Sequence, residues 1–180
     1  DWMFIRNFSV QASGLAKADV QSKPMQTKHD ADAINEQCTL VRAATPSNRM
    51  TMQVKSSYAN YSANVQGVYP NYHDIRRWDV ITGRKLDDRD EIAKRPVCVM
   101  GLTAAKELFG SMNPVGEEIT VKSGRFKIVG LLEFKGMSAQ RDNDDVILFP
   151  FSTFERKIAG AEVSQTLIAA AAHGVDPKLA

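Results

Sequence analysis

Few residues in this sequence have the types and spacing that chemistry requires. Two of the three histidines precede an aspartate, as His29-Asp30 and His73-Asp74, and His173 stands apart. Adjacent residues on a helix point in different directions, so neither pair forms an acid–base or metal-ligand set by its spacing alone. We therefore interpret all three as solvated surface histidines.

The acidic run Asp142-Asn143-Asp144-Asp145 offers the oxygen atoms of a calcium-binding loop. Such a loop also needs a glycine at its sixth position and a distal glutamate, and Ile147 occupies the sixth position here. We therefore predict a polar turn that leads into a buried strand, and no metal site.

Motifs for phosphate binding and for covalent catalysis are absent from the sequence. A Walker-type loop needs the pattern G-x-x-x-x-G-K-[ST], and no glycine in this chain is followed by lysine. The patterns G-x-G-x-x-G and G-x-S-x-G are absent as well. We predict no catalytic residue and no cofactor.

The two cysteines, Cys38 and Cys98, are too few for a disulfide-dense scaffold and lack the C-x-x-C spacing of zinc or redox sites. Cys98 falls in an apolar strand, and Cys38 falls on the apolar stripe of a helix. We expect two buried thiols, and a disulfide between them is the alternative.

All four tyrosines, Tyr58, Tyr61, Tyr69 and Tyr72, fall within a short window of the sequence. Aromatic side chains with a polar tip suit protein interfaces, and they also suit any half-buried sheet. We expect a structural role for the four tyrosines, with partner contact as the alternative that makes them candidate site residues.

Composition places the chain among ordinary folded proteins. Its 180 residues are 43% hydrophobic and 24% charged, which is enough for one domain or two small subdomains with a core. The charges sum to 23 − 21 = +2, so no basic surface indicates nucleic-acid or membrane binding. The chain lacks an initiator Met and stops near Asp176-Pro177, where a helix would begin, so we expect a piece of a longer protein.

Strand and helix signals are mixed without strict alternation, which indicates an α+β fold. Alternating apolar residues predict paired strands over residues 50–55 and 63–68, and an apolar run predicts a buried strand over residues 97–101. Turn-forming residues predict a turn over residues 45–48 and a long surface loop over residues 82–96.

Two helix starts are predicted from capping residues. Thr103 is expected to cap a helix that ends at Gly110. Ser152 and Glu155 have the spacing of a capping box, which predicts a second helix that ends at Gly160.

The strongest local signal is a tight β-hairpin. Residues 119–122 and 126–129 alternate in polarity and flank Ser123-Gly124-Arg125, a run typical of a turn. We expect Gly124 to adopt a positive φ in that turn. The buried face of the hairpin is expected to consist of Ile119, Val121, Phe126 and Ile128.

The middle of the chain carries motifs in a characteristic order. They are Gly67-Val68-Tyr69-Pro70-Asn71-Tyr72, Ile75-Arg76 with Trp78, Ile81-Thr82-Gly83-Arg84, Val97 to Gly101, Leu108-Phe109-Gly110, Asn113-Pro114-Val115-Gly116, Phe126 to Gly130, and Asp145 to Pro150. Together, over residues 65–160, they resemble the MacB-like periplasmic core domain. That domain is the extracytoplasmic part of ABC-transporter permeases of the MacB, LolC and FtsX type.

The resemblance implies a porter-like α/β subdomain with a smaller inserted α/β subdomain that contains the hairpin. We place the porter-like part at residues 1–75 and 150–180, and the insert at residues 76–149. In this family the domain lies between the first and second of four transmembrane helices of a bacterial inner-membrane protein, on the periplasmic side.

The resemblance also implies a function without catalysis in this chain. ATP is hydrolysed by a separate cytoplasmic domain or subunit, and the extracytoplasmic domains of a homo- or heterodimer transmit the movement to a membrane fusion (adaptor) protein or a lipoprotein. We expect MacB-type efflux. LolC-type lipoprotein release, or an independent periplasmic enzyme or ligand-binding protein, are the alternatives, and no nucleic-acid partner is expected.

Overall fold

The computed structural model describes residues 2–5, 28–37, 41–138, 141–160 and 166–171. The helices are α1 (Lys28–Gln37), α2 (Tyr72–Arg76), α3 (Asp88–Ile92), α4 (Leu102–Phe109) and α5 (Phe151–Phe154), the last continued by a π-helical turn (Glu155–Ala159). The strands are β1 (Trp2–Ile5), β2 (Val41–Lys55), β3 (Asn60–Val68), β4 (Val80–Gly83), β5 (Val97–Met100), β6 (Glu118–Val121), β7 (Gly124–Leu132), β8 (Met137–Ser138), β9 (Arg141–Asp142), β10 (Ile147–Pro150) and β11 (Thr166–Ala171). The mixture confirms the α+β class.

The described strands form one large sheet and a separate two-stranded ribbon. In the large sheet the order is β1-β11-β2-β3-β10-β5-β7-β4, and β6 pairs with both β2 and β7. Strands β3 and β10 are parallel, as are β5 and β7, and the other pairs are antiparallel. The ribbon pairs β8 with β9. The division into a porter-like part and an insert stays a prediction.

The hairpin of β2 and β3 is the longest pairing in the sheet. It runs without interruption from Ser47 opposite Val68 to Lys55 opposite Asn60, which confirms the predicted pair of strands. The predicted turn over residues 45–48 is wrong, because this segment is buried inside β2. Pro46 pairs with β11 and lies just beyond the stretch of β2 that pairs with β3, so its missing N–H interrupts no bond to β3.

Two hydrophobic cores, which do not share a residue, account for most of the buried apolar side chains. The first core brings the inner faces of β3, β5, β6, β7 and β10 together with α4, α5 and the π-helical turn. The second core packs α2 and the side chain of Trp78 against β5, β10 and β11. The expected buried face of the β6–β7 hairpin is confirmed, since all four side chains are at most 1% exposed: Ile119, Val121, Phe126 and Ile128.

The turn of the β6–β7 hairpin differs from the prediction. It consists of Lys122 and Ser123, and Lys122 adopts the positive φ of 52°. Gly124 already belongs to β7 and lies opposite Val121, so the expected positive φ at Gly124 is wrong. Glycine is needed there for space, because a Cβ would lie 2.8 Å from the ring of Phe126.

The segment over residues 82–96 is not a long loop. It contains the end of β4 and all of α3, which begins with a capping box between Asp87 and Asp90. The buried Asp90 carboxylate accepts hydrogen bonds from both terminal nitrogens of Arg84, at 2.6 and 3.0 Å. Burial opposes ionisation of Asp90, but Arg84 and the N–H of Asp87 outweigh it and lower the pKa of that carboxyl. The Arg84–Asp90 ion pair therefore gives a defined structure to a segment whose polar sequence predicts a loop.

Both predicted helix caps are used for other contacts. Helix α4 begins after Gly101, whose missing Cβ leaves room for the carbonyl oxygen of Asp144, and Thr103 donates to Asp142 at 2.8 Å. Ser152 donates from its N–H and its hydroxyl to Glu91 of α3. These contacts join distant segments, which the local sequence does not reveal.

The hairpin register makes a first testable prediction. Phe126→Ala should lower the free energy of unfolding by about 3–5 kcal/mol, because a fully buried ring leaves a cavity. Lys127→Ala, on the exposed face of the same strand, should change it by less than about 0.5 kcal/mol. Urea denaturation of both variants measures the difference. Equal losses of unfolding free energy would contradict the register described here, because a shift of one residue exchanges the two faces of a strand.

Gly124 supplies a sharper form of the same test. Gly124→Ala should destabilise the wild-type protein by about 1–3 kcal/mol, because the new methyl group displaces the ring of Phe126. In the Phe126→Ala background the same change should cost close to nothing. An undiminished cost in that background would point to backbone strain at Gly124 instead.

A second prediction concerns the Arg84–Asp90 pair. Asp90→Asn should lower the free energy of unfolding by about 1–2 kcal/mol at pH 7. The loss is smaller than for a fully buried ion pair, because Arg84 is partly exposed and water screens its charge. The folded-state pKa of Asp90 is below its ordinary value of 3.8, so its contribution is present above that value and is lost as the pH falls through the folded-state pKa. Urea titrations at pH 7 and below pH 4 should therefore show the gap between wild type and variant closing in acid. Asp88→Asn, exposed in the same helical turn, is the control.

Candidate partner-binding surface

The four candidate tyrosines do not form one patch. Tyr58 lies in the turn between β2 and β3, is 60% exposed, and meets the ring of Phe109 edge-on at 6.0 Å. Tyr61 is half-buried near the start of β3, beside Asp145. Burial is the larger cause and the negative charge of Asp145 the smaller cause of a raised pKa for its hydroxyl. Both tyrosines lie at the end of the β2–β3 hairpin that is remote from β1 and β11.

The other two tyrosines lie beyond the opposite end of β3, roughly 25 Å away along the strand. Tyr69 is half-buried, with its ring edge-on to Phe151 at 5.8 Å, and burial raises the pKa of its hydroxyl. Tyr72 is only 4% exposed and packs in the second core. In this conformation Tyr72 does not present its side chain to a partner, and contact through the other tyrosines stays a prediction.

A more prominent surface feature, which the sequence did not indicate, is the segment over residues 133–138 that follows β7 and includes β8; we call it the anchor loop. Its side chains Phe134 and Met137 are each 75% exposed. Most large apolar side chains of a folded domain are buried, so two of them on one short loop distinguish this surface. The only signal in the sequence was the pair of apolar residues in a polar stretch.

A buried carboxylate holds the backbone of the anchor loop. Asp144 is 1% exposed and accepts hydrogen bonds from the N–H of Lys135 at 2.9 Å and of Gly136 at 2.8 Å. The side-chain amide of Asn143 donates to the carbonyl of Gly136 at 2.7 Å. Gly136 has a φ of 71°, which favours glycine, so the tight course of the loop depends on it. The acidic run is thus a polar turn before a strand, as expected, and it also organises the loop opposite it.

The side of the loop next to β7 rests on Trp78. The indole N–H of this buried residue donates to the carbonyl of Glu133 at 2.8 Å. The ammonium group of Lys135 lies 5.1 Å from the centre of the Trp78 ring, and it donates to the carbonyls of Arg76 and Arg77 at the end of α2. Partial burial lowers the pKa of Lys135. The loop is therefore fixed from two sides, by Asp144 and by Trp78.

The histidine and the cysteine whose side chains the structure describes, His73 and Cys98, are both buried in the interior. His73 is 1% exposed, so the expectation of a surface histidine is wrong for this residue; its Nδ1 lies 3.2 Å from the carbonyl of Trp78, and burial lowers its pKa. Cys98 is fully buried, and burial raises the pKa of its thiol. Cys38, His29 and His173 have side chains outside the described residues, so the predictions for them stay open.

Within the part of the chain that the structure describes, no three His, Cys, Asp or Glu side chains converge as a metal site. No helix among the described residues is long and apolar enough to cross a membrane.

Comparison with known sequences gives a match over nearly the whole chain. The profile of the MacB-like periplasmic core domain matches residues 3–180. The macrolide export ATP-binding/permease protein MacB of Syntrophobacter fumaroxidans is 32% identical over 155 residues, which cover 85% of this chain and 22% of that protein. The pyoverdine export ATP-binding/permease protein PvdT of Pseudomonas aeruginosa is 33% identical over 133 residues, which cover 73% of this chain and 20% of that protein. The chain thus spans about a fifth of the length of these relatives.

Comparison with solved structures gives the same fold. The periplasmic region of MacB from Actinobacillus actinomycetemcomitans superimposes with a TM-score of 0.73 at 21% sequence identity, covering 92% of this chain and 75% of that one. The family match over nearly all residues, together with relatives above 30% identity, shows that this chain belongs to the MacB-like periplasmic core domain family, the extracytoplasmic domains of ABC-transporter permeases.

Proposed function

We propose that this domain is a non-catalytic coupling element of an ABC export permease of the MacB type. It carries movement that originates in cytoplasmic ATP hydrolysis to an adaptor protein in the periplasm. The observation that carries the proposal is the unbroken β2–β3 hairpin, which joins the two ends of the domain as one hydrogen-bonded unit.

The chain segments that lead to the membrane helices in such a permease adjoin one end of the sheet. There β1 pairs with β11, and Ala171 of β11 pairs with Val41 at the start of β2. Strand β2 then runs for 15 residues, roughly 45 Å, to the turn that carries Tyr58. A displacement at the membrane side therefore reaches the far end without passing through a hinge in this strand.

Strand β2 is supported along both edges, which makes it suited to this task. Strand β3 pairs with one edge over nine residues, and β11 and then β6 pair with parts of the other. Paired strands packed on a core deform little compared with surface loops. The far end of the hairpin thus moves with the membrane side rather than independently of it.

Export is favoured over lipoprotein release because the relatives described above are named as export permeases, one for macrolides and one for pyoverdine. In the full-length protein we infer a dimer, with ATP hydrolysis in a separate domain or subunit. An adaptor protein would meet the domain at the end away from the membrane, where Tyr58 is exposed.

The proposal is tested on the full-length transporter. Replacing residues 28–171 by a flexible linker of similar reach should abolish export while basal ATP hydrolysis persists, because the replaced part carries the coupling and not the chemistry. Export in cells and ATPase activity in proteoliposomes measure the two quantities. Loss of both activities, or retention of both, would contradict a coupling role.

Tyr58 gives a finer test of the far end of the hairpin. Tyr58→Ala in the full-length transporter should reduce export at least fivefold and leave basal ATPase activity unchanged, because the ring is exposed and its loss removes contact area from the partner. Ile92→Ala, which removes an 80% exposed side chain from α3, is the matched control and should export normally. Wild-type export by the Tyr58 variant would remove this turn from the interface.

A further inference from the structure

We propose that His73 is an acid-sensitive latch: its neutral ring holds the end of α2 to Trp78, and uptake of a proton by the ring releases them. The side chain is only 1% exposed, although histidine is the residue whose charge ordinarily changes near neutral pH. The inference goes beyond the proposed function and does not depend on which partner the domain binds.

Two hydrogen bonds join His73 to Trp78 across the end of α2, and we call this pair of contacts the latch. The backbone N–H of Trp78 donates to the carbonyl of His73 at 2.8 Å, and Nδ1 of His73 lies 3.2 Å from the carbonyl of Trp78. Because a carbonyl oxygen only accepts, Nδ1 carries the proton of the neutral ring and Nε2 carries none. Further protonation therefore takes place at Nε2.

The surroundings of Nε2 oppose that protonation. This atom is buried and makes no hydrogen bond within the described part of the chain. An added proton would place an N–H without an acceptor and a full positive charge in the interior, which is costly. Burial is accordingly the main reason why the pKa of His73 lies below its ordinary value of 6.5.

The nearest charged groups do not compensate for a protonated ring. Asp74 on α2 and Asp79 after it favour the imidazolium, but both carboxylates are 72% exposed, so water screens them. Lys85 lies 2.7 Å from Asp79 and 3.6 Å from Asp74, and its own charge repels a protonated imidazole. The ring thus has a cation close by, and the two carboxylates that could offset its charge are already paired.

Charged groups on the other neighbouring elements have backbone partners. Arg42 of β2 donates to the carbonyl of Asp74 at 3.5 Å, and Lys135 of the anchor loop donates to the carbonyls at the end of α2. Glu133 of the same loop accepts the N–H of Asp79 at 3.4 Å. Strand β11 adds apolar side chains. None of these contacts supplies an acceptor to Nε2 of the ring.

Opening of the latch reaches the anchor loop through Trp78. The indole N–H of Trp78 donates to the carbonyl of Glu133, and Lys135 contacts both the Trp78 ring and the end of α2. The other support of the loop, the carboxylate of Asp144, is independent of the latch. Acid therefore loosens one of the two supports of the anchor loop and leaves the second in place.

The direction of the pH effect follows from the difference in pKa between the two forms. The opened form titrates near 6.5 and the closed form at a lower pH, so the opened form binds more protons between these two values. The stability of the latch is present in full above pH 6.5 and is lost as the pH falls from there to the folded-state pKa. Acidification from pH 7.5 to pH 5 can favour opening by at most about thirtyfold.

Hydrogen–deuterium exchange of the full-length transporter in nanodiscs tests the latch at pH 7.5 and pH 5, with rates corrected for intrinsic exchange. Peptides over residues 72–79 should exchange at least tenfold faster at pH 5. Peptides from α4, which packs in the first core, should change less than twofold. Unchanged exchange over residues 72–79 would overturn the proposal, and so would equal acceleration in α4, because that indicates general unfolding.

A variant that cannot take up the proton assigns the effect to His73. The side chain of His73→Asn keeps an N–H that can donate to the carbonyl of Trp78, so exchange over residues 72–79 should differ less than twofold between the two pH values. The matched control His29→Asn/His173→Asn removes the other two histidines of the chain and should keep the full acceleration. Acceleration that persists in His73→Asn, or that disappears in the control, would overturn the proposal.

A direct titration of His73 covers the case in which asparagine fails to hold α2. Exchange of the imidazole C2 hydrogen, followed by mass spectrometry of the wild-type transporter between about pH 4 and pH 9, gives the pKa of this residue. We expect a value below 6.5, because the closed latch favours the neutral ring. A pKa of 6.5 or above would mean that the fold does not resist protonation, and the proposal would fail.

Discussion

Strand β2 has backbone donors and acceptors along both edges of 15 residues, and those that are buried must be paired. Strand β3 satisfies one edge from Ser47 to Lys55. The other edge is shared, with β11 next to the first residues and β6 next to Val54 and Lys55. Strand β11 also pairs with β1, and β6 also pairs with β7. Strand β2 therefore connects the strands near the two ends of the chain with the β6–β7 hairpin in its middle. The position of most other elements follows from that sharing.

The parts of the fold that could be predicted from sequence are those decided by local alternation. The buried face of the β6–β7 hairpin follows from residues two apart, and a strand places such residues on the same side. The turn predicted over residues 45–48 failed for the opposite reason, because these residues are paired in the sheet: Thr45 to Ser47 pair with β11, which is distant in sequence, and Ser47 and Asn48 pair with β3. Gly124 was assigned to the correct hairpin, but the predicted reason, a positive φ, was wrong. Glycine is needed there because the ring of Phe126 occupies the space of a Cβ. Propensity describes the isolated segment, whereas pairing with distant strands decides the outcome.

The candidate surface shows the same limit. The tyrosines were prominent because they cluster in sequence, but a strand of nine residues separates them in space. The anchor loop could not be recognised, because its exposure depends on where Asp144 and Trp78 lie. Asp144 follows the loop by several residues and Trp78 precedes it by more than fifty, and only the fold brings them to opposite sides of it. A sequence can indicate that a residue is apolar, but the long-range contacts determine whether it is buried or presented.

The proposed coupling role requires that the surface of the domain keep its position when the structure is pulled or pushed, and apolar packing alone is poorly suited to that because it has little directionality. This domain places directional polar contacts where segments meet. Asn35 exchanges two hydrogen bonds with the backbone of Ala44, fixing α1 on β2. The Arg84–Asp90 pair fixes α3 after β4, and Asp144 fixes the anchor loop. Breaking any of these contacts by sliding would leave a buried polar group without a partner, at a cost of about 1–3 kcal/mol. Each contact therefore resists the sliding of one segment against another, which is what the proposed coupling role requires.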